Sequence, residues 1–365
     1  MISIKEVINE LEKLAPLSLQ EDYDNAGLII GDANNEVKGV LVSLDCTEAV
    51  VEDAISKGCN LIVSHHPIVF RGLKKITGAN YIERVVISAI KNNIAIYAIH
   101  TNLDSVSLGV NKMIADKIGL INTRILKPKS GNLLKLIVYV PKDHSEKLRD
   151  SLFIAGAGKI GNYDSCSFNT GGEGTYKANE NANPFKGDVD KLHHEAEVKI
   201  EVLLPDYLKS EVINVMIKSH PYEEVAYDII RLENTNHSIG SGFIGELKDE
   251  MSEVTFLKML KKNMKTNCIR HTGLFNKQIN KVAISGGAGS FLINEAKKQG
   301  ADVFITGDVK YHEFFDADNQ MIIADIGHYE SEQFTIDLIV DFLIEKFSKF
   351  AVQFTDVNTN PINYF

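Results

Sequence analysis

Along residues 1–17 (MISIKEVINELEKLAPL) the charged side chains Lys5, Glu6, Glu10, Glu12 and Lys13 interrupt apolar residues at helical spacing, which predicts an amphipathic helix. No unbroken apolar stretch of a signal peptide is present there. From 37 to 104 the pattern changes to short β-rich runs (GVLVSLD, NLIVSHH, AIYAIHT) alternating with helical ones (EAVVEDAISKG, YIERVVISAIKNN). That rhythm predicts βαβ units on a parallel sheet, whose ligands gather beyond the strand C-termini. A later stretch repeats it: VAIS at 282–285 aligns with VLVS at 40–43, and ADVFITGDVKYHEF with CNLIVSHHPIVF without a gap. Two related α/β lobes are therefore expected.

Between the lobes the order of runs differs. Strand candidates LLKLIVYVP, NYDSCSF, EVKIEVLLP and EVAYDIIRL and helix candidates SEKLRDSLFIA and LKSEVINVMIKS give the order βαββαβ, a ferredoxin-like α+β insert. Residues 169–190 are rich in Gly, Asn and Lys and are expected as a long surface loop. The expected domains are 1–126, 127–232 and 233–365, an α/β core interrupted by the insert.

Bulk properties narrow the function. At 365 residues the chain is long enough for two or three packed domains. Its 39 basic and 49 acidic side chains give a net charge of −10, which argues against a broad phosphate-binding surface, so nucleic acid is not an expected partner. No apolar run approaches the roughly 18 residues of a membrane helix, and a cytoplasmic location is expected. Cys46, Cys59, Cys166 and Cys268 are scattered without a CxxC pair, which suits a reducing compartment. A metal would have to be held by nitrogen and oxygen.

Such donors occur at three strand ends. His65 and His66 follow the buried run NLIVS and precede Pro67; Asp104 follows AIYAI, just before a predicted helix (SVSLGVNKMIADKIG); His328 and Glu332 follow MIIAD. Four residues apart, His328 and Glu332 share one helical face. Singly, each has a plainer reading: a strand-terminating His-His-Pro, a capping Asp, a surface helix. Together, three imidazoles and two carboxylates exceed the three protein ligands of a typical catalytic zinc site, and carboxylates can bridge a metal pair. The count favours two divalent ions; zinc, iron, manganese, cobalt or nickel would all suit these donors, which do not choose among them, and zinc is the ion expected in the protein as isolated.

SHHP at 64–67, HTNLD at 100–104, SGGAG at 285–289, TGDVKYHE at 306–313 and GHYESE at 327–332 together resemble the motifs of the type 2 GTP cyclohydrolase I homologues, also called NIF-three-like dinuclear-metal-centre proteins. GAGKIGNYDSCSF and HPYEEVAYDIIRL resemble the insert of their longer bacterial members. The resemblance implies metal ligation by His65, His66, Asp104, His328 and Glu332, with Asp104 and Glu332 bridging. It also implies a toroidal homohexamer and an insert similar to PII-like and CutA-like domains.

Smaller expectations attach to other residues. The amides of SGGAGS at 285–290 could cradle an anion or merely turn the chain. His312, beside Glu313 in the repeat counterpart of the His-His-Pro segment, is a candidate for proton transfer, with packing or a surface hydrogen bond as the plainer role. His100 is expected to support the ligands, and His193 and His194 to be solvated. The leading function is a metal-dependent hydrolase of a small molecule. The alternative is a metal-binding regulatory or scaffold module whose insert senses a ligand or partner without catalysis.

Overall fold

In the computed structural model, which describes residues 1–365, the chain forms two compact units: Met1–Lys127 with Ile239–Phe365, and Pro128–Ser238. The first is built on two sheets. In one, the parallel strands Gly39–Ser43, Leu61–Ser64 and Ala95–Ala98 lie side by side; Ala351–Phe354 joins parallel at one edge and Gly27–Ile30 antiparallel at the other. In the other, the parallel strands Gln278–Ala288, Val303–Gly307 and Ile322–Asp325 are flanked by antiparallel partners, Thr235–Ser252 beside the first and Arg270–His271 beside the last.

The central strands are apolar throughout because both of their faces are covered. On the first sheet Val40, Val42, Leu61, Val63, Ala95 and Tyr97 face a core that also takes Val282, Ile284, Val303, Ile305, Ile322 and Ala324 from the second sheet. Residues of the helices Ile4–Leu14, Val110–Ile118, Glu253–Asn263 and Thr335–Lys346 fill the same core. The alternate residues Leu41, Ile62 and Ile96 turn outward beneath the helices Glu48–Ser56 and Tyr81–Lys91, and Ala283, Phe304 and Ile323 beneath Ile293–Lys298. The result is a layered α/β arrangement whose parallel strands deliver their C-terminal ends to the site. No helix is long and apolar enough to cross a membrane.

Local signals set the helix starts. Ser3 and Glu6 form a capping box at Ile4–Leu14, and Thr47 caps Glu48–Ser56. Asn80 caps Tyr81–Lys91, where the carboxylate of Glu83 reaches back to the Thr77 and Ala79 amides (2.8 and 3.0 Å) and the Thr77 hydroxyl (2.8 Å). The helix expected directly after Asp104 starts later, at Val110, and runs to Ile118; before it Thr101–Ser105 forms a separate short turn that contains Asp104. A Cβ on Gly109 would lie 1.8 Å from the Leu103 carbonyl oxygen, so that close turn requires glycine.

The second unit follows the order strand, helix, strand, strand, helix, strand. Leu133–Pro141 is central, pairing antiparallel with Leu192–Pro205 on one side and Tyr227–Leu232 on the other; Ser167–Lys177 pairs with the outer edge of Leu192–Pro205. Ser145–Ile154 and Lys209–Ser219 pack over apolar residues of the sheet. The surface loop expected at 169–190 is in its first half a strand. Its Gly- and Asn-containing residues stay largely exposed, so an unbroken antiparallel ladder from Ser167↔Val202 to Lys177↔Leu192 defines it, and no apolar alternation announced it.

The hydrogen bonds that Glu83 accepts, led by the Thr77 amide, lower its pKa from 4.5 to about 2. A depressed carboxylate stabilises the fold fully above its unfolded pKa and loses that contribution as pH falls through the folded one. Glu83→Gln should therefore lower the melting temperature at pH 7, and the gap should close between about pH 4.5 and 2. A gap that persists unchanged at pH 2 would contradict this account.

Candidate metal centre

His65 and His66 occupy the first two positions after Leu61–Ser64, where the strand's alternation ends and both rings can turn to the same space. The His65 Nδ1–H donates to the Ile99 carbonyl (2.8 Å), which leaves Nε2 free to act as a ligand. Asp45 accepts from Nδ1 of His66 (2.8 Å), and Asp308 from Nδ1 of His328 (2.7 Å), turning those two Nε2 lone pairs inward as well. They face each other across 3.2 Å. The carboxylate of Glu332 lies between the imidazoles, with Oε2 3.1 Å from each of these Nε2 atoms and 3.9 Å from Nε2 of His65. Asp104 Oδ1 lies 3.7 Å from Nε2 of His65.

The five residues expected as ligands are thus brought together. Ligand atoms of His66, His328 and Glu332 form one compact group, and those of His65, Asp104 and Glu332 another, with Glu332 common to both. Nε2 of His65 and Oδ1 of Asp104 are buried and lack any hydrogen-bond partner, and Oε2 of Glu332 has a partner only if His66 or His328 carries a proton on Nε2. Orphaned buried donors and acceptors are costly; a cation among them would satisfy all three.

The electrostatics point the same way. Burial opposes a charge on His66, but bonds to Asp45 and Glu332 outweigh it and lift the pKa to about 10; burial is likewise overcome at His328 by Glu332 and Asp308, giving about 9. Burial and the Glu332 charge push Asp104 well above the usual carboxylate range. Glu332 is held well below it by the three histidines despite its burial. Without a metal, protons on His66 and His328 supply the positive charge that this cluster requires.

Residues beyond the expected five complete the site. His100 is closer than a remote support: its ring lies 5.3 Å from those of both His65 and His66, and it groups with them as a possible ligand. Asp24 accepts from His100 Nδ1 (2.7 Å), the Thr101 amide (3.0 Å) and the Thr101 hydroxyl (2.5 Å), anchoring the turn that carries Asp104. Thr359 donates to the second oxygen of Asp45 (2.7 Å). Asp24 and Asp45 lie in stretches without metal-ligand spacing, so no local signal marked them. Asp308 was within reach of sequence, since the gapless alignment of the two repeats sets it opposite His66.

Two expectations fare differently. The glycine-rich turn has no open anion cradle: the amides of Gly286, Gly287 and Gly289 are taken by Asn111, Ser331 and Thr306. Gly287, at φ 58°, instead admits Glu332, whose Oε1 would lie 2.4 Å from a Cβ there. His312 is exposed on the turn Tyr311–Ala317, against the rings of Tyr311 and Phe315, and does not line the cavity at the metal centre. That cavity, of about 580 Å³, is walled by Tyr23, Phe70, Phe291 and Tyr329, and no lysine or arginine lines it.

The structure is a layered α/β core with, at its strand ends, a cluster of histidines and carboxylates that could hold a metal ion. Residues 2–361 match the Duf34/NIF3 (NGG1p interacting factor 3) family, and the chain belongs to it. It is 43% identical to a protein of Halalkalibacterium halodurans over 88% of this chain and 87% of that one, and 41% identical to one of Bacillus subtilis over 89% and 88%. Both are called GTP cyclohydrolase 1 type 2 homolog. Its structure resembles that of a Bacillus cereus protein related to NIF3, with a TM-score of 0.88, 37% identity and coverage of 100% of this chain and 99% of that one.

Burial raises the pKa of Asp24, but its bonds from His100 and Thr101 prevail and hold it at about 2. Removing this covered carboxylate strands four donors, the His100 ring, the Thr101 amide and hydroxyl and the Asn25 amide, so Asp24→Ala should cost roughly 2–3 kcal/mol of stability in urea unfolding at neutral pH. A loss below about 0.5 kcal/mol would show that the Thr101–Ser105 turn does not depend on it.

Proposed function

We propose that this chain holds two divalent metal ions and uses them to hydrolyse a small molecule. The observation that carries the reading is the pair of buried, unpartnered atoms on His65 and Asp104, beside the Glu332 carboxylate and the opposed Nε2 atoms of His66 and His328. In this reading His65, Asp104 and Glu332 would hold one ion and His66, His328 and Glu332 the other, with Glu332 common to both and Asp104 the second candidate for a shared ligand. The donors are imidazole and carboxylate, which suits zinc first and iron, manganese, cobalt or nickel as well.

When bound, such a pair supplies Lewis acidity towards a carbonyl or phosphoryl oxygen and makes water acidic enough to react near neutral pH. The chain's own residues do the rest. Asp45, Asp308 and the Ile99 carbonyl fix the imidazole tautomers and ring planes. Tyr23, Phe70 and Tyr329 offer flat apolar walls to a ring-bearing substrate. The name of the two relatives suggests purine ring opening, but a cavity without lysine or arginine favours substrates with few phosphates over a nucleoside triphosphate. His312, exposed on its turn, has no part in this reading.

Further proposals concern the whole protein. The strand order of Pro128–Ser238 supports reading that unit as a ferredoxin-like insert of the PII and CutA kind. We also propose a ring-shaped homohexamer in the cytoplasm; light scattering at the 40.5 kDa of one chain would contradict the assembly.

Protein purified without chelator and reconstituted should carry close to two metal ions per chain by elemental analysis. Because Glu332 is shared, Glu332→Ala should lose both, whereas His328→Ala should lose one. Metal content near zero in the parent protein after reconstitution would sink the reading, and metal-replete protein inert on amide, heterocycle and phosphoester panels would remove hydrolysis from it.

A further inference from the structure

A second cavity, of about 320 Å³, lies wholly within the unit Pro128–Ser238, apart from any residue assigned above. Its walls include the rings of Tyr139, Tyr176, Phe185 and Tyr222. The Tyr176 and Tyr222 rings are 5.8 Å apart at 68°, and those of Phe185 and Tyr222 6.3 Å apart at 52°. Rings set at such angles make a corner with several π faces instead of a closed stack.

The charged lining is acidic. Glu197, Glu223 and Glu224 border the cavity, and its one cationic residue, Lys177, pairs with Asp190 at 3.6 Å. The neighbouring Lys186 is also engaged, with Glu195 at 2.7 Å. Two features position the Glu197 carboxylate. Tyr222 donates its hydroxyl to Oε1 (2.9 Å), and Gly174 across the ladder leaves room for Oε2, which would lie 2.2 Å from a Cβ at that position. The glycine of the polar stretch thus serves the cavity wall. Ring faces and carboxylates converging on one small cavity suit a ligand with a positive charge spread over an apolar body, through cation–π and Coulomb attraction together.

We propose that this cavity is a binding site for an organic ammonium ion. The site draws on the face of Tyr222, flanked by Tyr176 and Phe185, and on the charge of Glu197, with Glu223 and Glu224 at its border. It gives the inserted unit a ligand of its own, whether or not the metal centre is catalytic.

The test uses the full chain, with choline and butylammonium as probes and their uncharged counterparts 3,3-dimethyl-1-butanol and 1-butanol as controls. In titration calorimetry at low ionic strength, at least one ammonium ion should bind about tenfold or more tightly than its neutral counterpart. Glu197→Gln and Tyr222→Leu should each weaken that binding by about tenfold, with circular dichroism confirming that the variants are folded. Phe185→Leu, at a ring that is 45% exposed, should weaken it also and is the variant least prone to unfold. His66→Ala should bind the probe like the parent, so that loss of the metal reading leaves this one intact. Equal affinity for charged and neutral probes, no binding of either ammonium ion, or full affinity in folded Glu197→Gln would overturn the proposal.

Discussion

Nε2 of His66 and Nε2 of His328 meet at 3.2 Å although 262 residues separate them along the chain. With Asp45 and Asp308 holding the Nδ1 protons, two lone pairs point at one another beside the Glu332 carboxylate, and only a positive charge makes that arrangement tolerable. Protons can supply it, as the elevated pKa values of both histidines indicate, and so can a cation. Much of the surrounding structure answers to this cluster: a sharp turn after each parallel strand, glycine at 287 where a side chain would strike Glu332, and a layered core rigid enough to keep like groups together. The cost of such a cluster is met by the well-packed sheets below it, where nearly every strand residue is buried.

The sequence was legible where periodicity and chemistry coincided. Runs such as NLIVS and FITG became fully buried parallel strands, and the donors just beyond them converged because parallel strands end at a common edge. It was less legible where long-range pairing decided the outcome. Ser167–Lys177 has little apolar alternation, and its strand exists because Leu192–Pro205 offers an open edge. The late start of the helix after Asp104 depends on the contact of Gly109 with Leu103, which residue spacing does not encode. Asp24 and Asp45 were silent for a related reason, since their partners lie 76 and 21 residues away and a single carboxylate in a loop carries no motif. His312 shows the opposite failing: a histidine in a recognisable motif suggested chemistry, while the turn that bears it faces solvent.

The two units place aromatic and acidic groups to different ends. At the candidate metal centre the carboxylates lie among imidazoles, a spacing that admits only a cation small enough to fit between the ligand atoms. In Pro128–Ser238 the carboxylates border an open cavity whose walls are ring faces, which selects for bulk as well as charge. Electrostatic preference alone does not separate these sites; the spacing of the groups does.

The bond from Thr359 to Asp45 spans 314 positions, and the strand Ala351–Phe354 just before it lies against Gly39–Ser43. Contacts of such sequence separation close the largest loops in the chain and form slowly, because loop entropy is lost before they give anything back. Thr359 holds one oxygen of Asp45 while the other accepts from His66, so the plane of that imidazole is fixed from both ends of the chain. A change near the C-terminus, far from the histidine pair in sequence, therefore reaches the ligand geometry through a single carboxylate.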